Sequence, residues 1–410
     1  MINKNKKTLL KHINSNIWKF YLFNIMNMFM MYLPFIVYHF LELGFSLTKI
    51  AIFYSAMAIT LTIFEIPSGY IADRFGRKPC LILNVSIFII SLILLCFATT
   101  FIPLIIAFIL TGISNSFFYG IESAFLFDTL KILKKEKHYK KFDGKAKFFG
   151  EISILSASLL GAYFIKFGIK YLIFTTIIGH IILLIIAFTL TEPTLRKKSN
   201  KINKNIKIFQ EIKKELKTIN TIIKKSLAHK KLLILFIYSF IIFGISNTIF
   251  MIYQPYFKAT KLPLYSYGII FAILSVITAL TSLKAHIIEK KIGMYKSLLM
   301  IPIFLAISLL GSSILFMSFG FTFFFFRESI RGFVMPVLND YTNKIAKTKE
   351  RATILSIQSM FSRLGLIVIS TTTSIISDMF GLRIGLFAIG IILTTMIILF
   401  AKKLKKFSYN

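Results

Sequence analysis

Six charged residues fall within long apolar stretches of the sequence, where ionisable groups are rare. They are Glu65, Glu122, Arg327, Glu328, Arg331 and Arg363. A charge in hydrocarbon is expensive, so such residues either line a pathway for a substrate or an ion, or pair with one another to hold helices together. Both interpretations stay open, because the charges sum to zero. Glu328 and Arg331 lie three residues apart on one predicted helix and are the most favourable internal pair.

A second charged feature is a decapeptide between two apolar runs. It reads Gly69-Tyr-Ile-Ala-Asp73-Arg74-Phe-Gly76-Arg77-Lys78. A turn with this many charges cannot lie in hydrocarbon, so we expect it at a membrane surface. Its three bases favour the cytoplasmic side.

The elements that must position these residues are membrane-length helices. The chain has 410 residues, of which 56% are hydrophobic, and this leaves no room for a soluble catalytic domain, so we expect no enzyme. Apolar runs of membrane length predict an all-α membrane protein with twelve transmembrane helices. The predicted segments are 17–41, 47–72, 80–99, 102–129, 148–166, 171–191, 231–256, 264–288, 297–317, 319–343, 352–377 and 383–401.

The net charge of +34 is distributed unevenly between the two sides of the predicted helices. Most Lys and Arg residues fall at the two ends of the chain and in the loops after even-numbered segments, which predicts that both termini are cytoplasmic. The bases do not form a folded basic face, so we expect no nucleic-acid partner. The opposite loops hold only Lys49, Lys166, Lys170, Lys258, Lys261 and Arg383.

The longest polar stretch divides the chain into two related halves. We predict an N-terminal bundle of six helices over 1–192, a cytoplasmic linker over 193–230 and a C-terminal bundle over 231–410. The linker has apolar residues at helical spacing among many lysines, which indicates a helix on the anionic inner membrane surface; a partner-binding helix has the same pattern. Gly120 and Asp128 have the same spacing as Gly332 and Asp340, and Glu289-Lys-Lys-Ile-Gly293 is the weak counterpart of the decapeptide.

The decapeptide resembles the loop between helices 2 and 3 of the major facilitator superfamily, written G-x-x-x-D-R-x-G-R-K/R, with every defined position matched. The resemblance implies a secondary transporter built from two pseudo-symmetric bundles of six helices. It also implies that Asp73 faces the N-terminus of helix 11 and that Arg77 reaches Asp128, so that the loop closes the cytoplasmic side. The cytoplasmic gate then comprises Gly69, Asp73, Arg74, Gly76, Arg77, Lys78 and Asp128.

In that superfamily helices 1, 4, 7 and 10 line a central cavity, and helices 2, 5, 8 and 11 form the gates. The charged residues of this chain fall on segments 2, 4, 10 and 11, and segment 1 adds two amides. The resemblance therefore implies a coupling or substrate cavity made of Asn24, Asn27, Glu65, Glu122, Arg327, Glu328, Arg331 and Arg363.

Residues 120–131 also resemble a bacterial branch of tetracycline-resistance-like drug exporters. The stretch reads Gly120-Ile-Glu122-Ser-Ala-Phe-Leu-Phe-Asp128-Thr-Leu-Lys131. The branch implies export of a drug-like or amphipathic compound by alternating access. Proton-coupled or facilitated uptake of a nutrient is the alternative, and a non-transporting membrane sensor is a distant one. Proton-driven exporters carry an Arg in helix 4 and a Pro in helix 5, and both are missing here.

Cofactors and partners follow from the same observations. Cys80 and Cys96 share one apolar segment and predict neither a disulfide nor a metal site. We expect no cofactor, a small-molecule substrate, the proton as a candidate coupling ion, and a monomeric protein in a bilayer with anionic inner-leaflet lipids.

The charge bias gives a first testable prediction about topology. Single cysteines introduced in the linker at 193–230 should resist impermeant thiol reagents in intact cells and react after permeabilisation, because the linker is expected in the cytoplasm. Labelling before permeabilisation would overturn the assignment.

Overall fold

The computed structural model describes residues 2–193, 221–345 and 350–409, and in these ranges the chain is almost entirely helical, without a strand. The predicted all-α membrane fold is thus confirmed. Short 3₁₀ turns begin at Leu33, Glu136, Ile165 and Gly320. The helices are α1 (Ile2–Met28), α2 (Ile36–Glu42), α3 (Leu47–Phe75), α4 (Arg77–Phe97), α5 (Phe101–Ser116), α6 (Ile121–Ile132), α7 (Tyr139–Phe164), α8 (Ile169–Thr189), α9 (221–228), α10 (Lys230–Ala259), α11 (Leu264–Ile314), α12 (Phe324–Ile345), α13 (Arg351–Phe380) and α14 (Leu382–Tyr409).

Within the described part of the chain, 10 stretches are long and apolar enough to cross a membrane. Two predicted segments are not among them, although both are helical. The segment at 319–343 coincides with α12, which carries two arginines and a glutamate. The segment at 383–401 coincides with α14, whose apolar stretch Leu382–Ile398 is short. Each of the twelve predicted segments therefore lies mainly on helix.

Two of the predicted segments are broken rather than continuous. The segment at 17–41 covers α1 and α2, and the segment at 102–129 covers α5 and α6. Gly120 causes the second break, because its φ of +81° belongs to the left-handed region that a side chain disfavours. The break places Glu122 in the first turn of α6 rather than about two-thirds along one long helix, as the predicted segment implied.

Contacts divide the chain into two units, called here the N-terminal unit (Met1–Leu33 and Ile59–Lys214) and the C-terminal unit (Pro34–Ala58 and Glu215–Asn410). The grouping of 34–58 with the C-terminal unit was not part of the predicted domain limits. Within that unit, the backbone N–H of Tyr38 donates to Gln254 at 2.9 Å, and Lys258 pairs with Glu42 at 2.8 Å. The predicted limits at 192 and 231 remain predictions, and the apolar positions of the linker between Ile202 and Ile219 lie outside the described residues.

The N-terminal unit has a continuous apolar core. Buried side chains of α1, α4, α6 and α8 contact one another, including Phe20, Phe23, Leu81, Phe125 and Leu183. This packing fixes the ends of α4 and α6, on which the charged decapeptide and its predicted partner Asp128 lie.

In the C-terminal unit the backbones of α10 and α13 lie close together at two glycine residues. A Cβ on Gly365 would lie 1.9 Å from the carbonyl oxygen of Phe240, and a Cβ on Gly244 would lie 2.6 Å from the backbone of Gly365. Small residues of this kind let helix backbones approach closely in membranes, where packing drives association.

The close contact between α10 and α13 gives a prediction on stability. Gly365→Ala should destabilise the folded protein by about 1–3 kcal/mol, because the added methyl group overpacks the contact with α10. Thermal unfolding in detergent, followed by loss of the monodisperse chromatographic peak, measures the effect. The matched control is Gly179→Ala on α8, where a Cβ would meet nothing within 4 Å. An equal loss in both variants would contradict the prediction.

Candidate functional site

The charged decapeptide covers the end of α3 and the beginning of α4. Nε of Arg77, in the first turn of α4, lies 2.7 Å from Oδ2 of Asp128 on α6. Both side chains are partly exposed, which agrees with a position at the end of the helices. The two residues expected to meet from the resemblance are therefore in ion-pair contact within the N-terminal unit.

A carboxylate that the sequence analysis missed caps α4. Glu192 accepts hydrogen bonds from the backbone N–H groups of Arg77 at 3.0 Å and of Lys78 at 2.7 Å. The first N–H groups of a helix have no partner within it, and the helix dipole favours an anion there. Glu192 therefore stabilises the start of α4 on both grounds.

The backbone conformation at position 76 favours glycine, and the Glu192 carboxylate lies close to it. Gly76 has a φ of +105°, which a side chain disfavours. A Cβ at this position would lie 2.8 Å from Cδ of Glu192. Gly293 in α11, within the weak counterpart of the decapeptide, also has a positive φ, of +77°. The two related stretches thus share a glycine in a left-handed conformation.

The end of α8 is held by further polar contacts. Nζ of Lys78 donates to the carbonyl of Phe188 at 2.7 Å, and Nζ of Lys19 donates to that of Thr189 at 2.6 Å. Asn16 exchanges two hydrogen bonds with the backbone of Thr191. Cations at the C-terminal end of a helix satisfy its free carbonyl groups. Together these contacts join α1, α4 and α8 at one end of the N-terminal unit.

Other residues of the decapeptide have different surroundings. Asp73 is exposed on the last turn of α3. Arg74 donates to the hydroxyl of Tyr70 at 3.1 Å and lies over the ring of Phe75. Gly69 has open space where a Cβ would stand. The expected contact of Asp73 with the start of the eleventh predicted segment (352–377, which lies on α13) stays a prediction.

The second charged site is a buried cluster on α12 in the C-terminal unit. Glu328 forms an ion pair with Arg327 and another with Arg331, whose Nε lies 2.8 Å from Oε2. The side chains of Arg327 and Glu328 are only 3% and 2% exposed, whereas that of Arg331 is 37% exposed. The predicted pair Glu328–Arg331 is present, and it is part of a larger arrangement.

Residues of α10 and α11 complete the hydrogen bonding of Glu328. Tyr253 donates to its Oε1 at 2.9 Å, and Thr278 donates to its Oε2 at 2.7 Å. Gly332 permits the approach of α12 to α11, because a Cβ there would lie 2.4 Å from the carbonyl oxygen of Thr278. A buried carboxylate needs such partners, since each unmet polar group in hydrocarbon is costly.

Arg327 is enclosed on its other sides. Its Nε donates to the carbonyl oxygen of Ser246 at 3.0 Å and to the hydroxyl of the same residue at 3.1 Å. Its guanidinium lies over the rings of Phe250 at 5.3 Å and Tyr253 at 5.7 Å. Cation–π contact stabilises a desolvated guanidinium, so Arg327 fixes Glu328 in place rather than meeting solvent.

Glu122 lies in the N-terminal unit and has few polar partners. Oγ of Ser123 donates to its Oε1 at 3.2 Å, and Asp143, Lys147 and Tyr139 of α7 interact with it electrostatically. Among the described residues Glu122 forms no ion pair, since Lys147 pairs with Asp143. Its place in the first turn of α6 lets the helix dipole favour a negative charge.

The remaining predicted cavity residues divide between the two units. Asn24 and Asn27 are buried on α1, and Asn24 bonds to the carbonyl of Phe20 on its own helix at 3.0 Å. Glu65 on α3 is half-buried in the N-terminal unit, and Arg363 on α13 is half-buried in the C-terminal unit. Each unit thus holds part of the predicted set.

Sequence reasoning also missed a carboxylate at the N-terminal end of α3, which is the end away from the decapeptide. Asp378 on α13 accepts from the backbone N–H groups of Leu47 at 3.0 Å and Thr48 at 2.8 Å, and from the hydroxyl of Thr48 at 2.6 Å. The only available signal was an acid close to the end of a predicted segment. Such a signal does not indicate which helix the acid contacts.

Comparisons with known proteins agree with this architecture. The family model described as Major Facilitator Superfamily matches residues 20–370. The chain is 23% identical over 378 residues to an uncharacterized MFS-type transporter, YxaM of Bacillus subtilis (strain 168), and the match covers 90% of each chain.

Solved structures show the same fold at low sequence identity. A mutant of the nucleoside transporter NupG has a TM-score of 0.74 at 16% identity, and the match covers 97% of this chain and 99% of that one. A bacterial homolog of the human lysosomal transporter Spinster has a TM-score of 0.73 at 13% identity, with the same coverage. A D-xylose–proton symporter has a TM-score of 0.70 at 14% identity and covers 95% of this chain and 97% of that one. Since the family model matches most of the sequence, this chain is a multi-pass transporter that belongs to the Major Facilitator Superfamily.

Proposed function

We propose that this protein is a secondary active transporter that moves a small molecule by alternating access. The observation that carries the proposal is the ion cluster of Arg327, Glu328 and Arg331 on α12, in which Arg327 and Glu328 are buried. Ionisable groups within membrane spans commonly mark substrate or ion pathways. Broken helices, such as α5 and α6 on either side of Gly120, also occur beside transport sites.

For direction and substrate, export of a drug-like or amphipathic compound is the first candidate. It rests on the resemblance of residues 120–131 to drug exporters. Uptake of a nutrient or metabolite is the second candidate, supported by the similarity in fold to a nucleoside transporter and a D-xylose–proton symporter. We further propose a monomer in the bacterial plasma membrane, with both termini in the cytoplasm and anionic lipids against the linker.

One experiment separates the two directions. The chain is expressed in cells, and everted membrane vesicles are prepared from them. A panel of amphipathic compounds and nutrients is then tested for accumulation in cells and vesicles, and for its effect on the growth of the cells. Export predicts resistance and accumulation in everted vesicles, whereas uptake predicts accumulation in intact cells. Absence of transport for the whole panel in both systems would count against the proposal.

We assign a cytoplasmic gate to the decapeptide, with Asp73 and the Arg77–Asp128 ion pair as its polar contacts. The 2.7 Å distance between Arg77 and Asp128 and the cap of Glu192 on α4 support this role. An exposed ion pair adds only about 0–1 kcal/mol to stability. A large effect of these residues on transport would therefore indicate more than a local contribution to folding.

The gate assignment predicts a specific pattern among alanine variants. Asp73→Ala and Arg77→Ala should reduce transport without abolishing membrane insertion. Asp128→Ala should resemble Arg77→Ala. The double variant of Arg77 and Asp128 should transport no more slowly than either single variant, because the effects of substituting two partners of one interaction are not additive. Initial transport rates in vesicles at matched protein amounts provide the measurement.

A matched control for these variants is Lys344→Ala. Lys344 forms an ion pair with Asp340 at 2.6 Å, but both side chains are exposed on one helix. Transport by this variant should stay near the parent rate. Additive losses in the Arg77 and Asp128 variants would mean that these residues do not act as a pair.

We also propose that Glu122 couples transport to a proton gradient. A carboxyl group without an ion-pair partner in a low-dielectric span holds a proton more readily than one in water, while its position in the first turn of α6 favours the charged form. The described ion pairs of Arg327 and Arg331 are both with Glu328, which supports a separate role for Glu122.

Substitution by glutamine tests this assignment, since it keeps size and hydrogen bonding but cannot titrate. Glu122→Gln should lose gradient-driven accumulation and still exchange substrate down its concentration gradient. Counterflow in proteoliposomes, with and without an imposed pH gradient, distinguishes the two activities. If uphill transport is unchanged, Glu122 does not couple; if both activities and expression fall together, its role is structural.

A further inference from the structure

The buried cluster on α12 carries one positive charge in excess. Two guanidinium groups, those of Arg327 and Arg331, share the single carboxylate of Glu328. Every other described acid of the C-terminal unit has a different partner. These pairs are Glu42 with Lys258, Glu289 with Tyr341, Asp340 with Lys344, Glu350 with Lys225, and Asp378 with the start of α3. No described acid of this unit therefore balances the excess charge.

The accessible part of this charge is Arg331. Arg327 is enclosed by Ser246, Phe250 and Tyr253. Arg331 uses Nε for its contacts with Glu328 at 2.8 Å and Thr278 at 3.4 Å, and its side chain is 37% exposed. Its two terminal nitrogens make no hydrogen bond to any residue that the structure describes. The donors that suit a planar anion are thus free.

The exposed face of Arg331 must meet water rather than lipid tails. Arg331 lies seven residues after Phe324, which is about 10 Å along α12. A guanidinium facing hydrocarbon at such a depth is strongly disfavoured, so charged side chains in spans face a protein interior or a water-filled cavity. The phosphate groups of lipids lie at the two ends of a span, whereas Arg331 lies at the centre of the predicted segment 319–343, so the candidate ligand is a dissolved anion.

We propose that the transported molecule is an amphipathic organic acid whose carboxylate binds the terminal nitrogens of Arg331. This substrate class rests on the transport function proposed above. The guanidinium fork matches the two oxygens of a carboxylate, and both hydrogen bonds are charge-assisted. The single excess charge favours a monoanion. Met335, one turn further along α12, is half-exposed and offers an apolar surface for the body of the molecule.

Glu328 is then an internal competitor of the substrate. Its carboxylate lies 2.8 Å from the Nε of the arginine that binds the acid. Removing its charge while keeping its size and one acceptor oxygen should make Arg331 more available. Glu328→Gln is therefore expected to bind organic acids more tightly than the parent protein, whereas a merely structural role predicts only weaker binding or loss of folding.

Matched pairs of acids and amides test the proposal. The purified full chain in detergent is titrated with benzoate and benzamide, nicotinate and nicotinamide, and octanoate and octanamide, and the midpoint of thermal unfolding is measured. At least one acid should raise the midpoint in a saturable manner while its amide does not. Arg331→Gln should weaken acid binding by about tenfold or more, because it removes charge-assisted hydrogen bonds.

Further variants keep the test independent of folding. Arg331→Lys retains the charge but loses the fork, so it should bind acids more weakly than the parent and more tightly than Arg331→Gln. Lys344→Gln, an exposed position on the same helix, should bind acids as the parent does. A further titration with phosphatidylglycerol identifies stabilisation by a lipid headgroup.

Several results would overturn the inference. They are equal effects of acids and amides, unchanged acid binding in Arg331→Gln, and an Arg331-dependent response to phosphatidylglycerol alone. Transport assays with the same compounds distinguish failure of the organic-acid inference from failure of the proposed transport function. Transport of the neutral amides, retained in Arg331→Gln, would leave the transport function intact and remove the acid as its substrate class. Binding of acids without transport would instead count against the transport function.

Discussion

The high free energy of unpaired polar groups in hydrocarbon constrains the rest of this structure. Backbone groups satisfy the constraint through helices, which account for almost all described residues. Helix ends within the protein need partners from elsewhere, and two carboxylates supply them. Glu192 caps α4 with two backbone hydrogen bonds, and Asp378 caps α3 in the same way. In both cases the acid lies outside the helix that it caps: Asp378 belongs to α13, and Glu192 follows the end of α8. One contact therefore satisfies a helix end and joins two parts of the chain.

Charged side chains in the helices also need polar partners, but not all of their hydrogen-bond donors have one among the described residues. Glu328 receives hydrogen bonds from Tyr253 and Thr278 and ion pairs from two arginines, which is sufficient for a buried carboxylate. The arginines are less evenly matched, because Arg327 is enclosed and Arg331 is not. Breaking a buried ion pair costs more than the pair contributes. The arrangement therefore holds Arg331 at a fixed position with donors to spare.

The two units use charge differently. In the N-terminal unit the ion pair of Arg77 and Asp128 lies at the end of the helices, beside Gly76 and the cap of Glu192. Glu122 lies further inside, with a serine hydroxyl as its hydrogen-bond partner. In the C-terminal unit Arg327, Glu328 and Arg331 form a cluster, and Arg327 has aromatic neighbours. A division between a polar contact at a helix end and a charged site inside a span agrees with separate roles in gating and in binding.

The sequence by itself determined the membrane class, the approximate position of the helices and the location of the charged decapeptide between two of them. These features depend on length, hydropathy and local charge, which are properties of neighbouring residues. The Glu328–Arg331 pair was also predictable, since three residues separate its members on one helix. The contact of Arg77 with Asp128 followed only from resemblance to a family, because nothing local joins the two positions.

Only the tertiary structure decided which distant groups meet. Glu192 lies 115 and 114 residues from Arg77 and Lys78, whose backbone groups it caps, and Asp378 lies 330 residues from Thr48. Tyr253 and Thr278 are ordinary residues of apolar helices until α10, α11 and α12 bring them to Glu328. The sequence predicted Glu122 about two-thirds along one long helix, whereas the break at Gly120 places it in the first turn of α6. Hydropathy could not predict that break, because the whole stretch is apolar and the turn depends on the φ angle of one glycine.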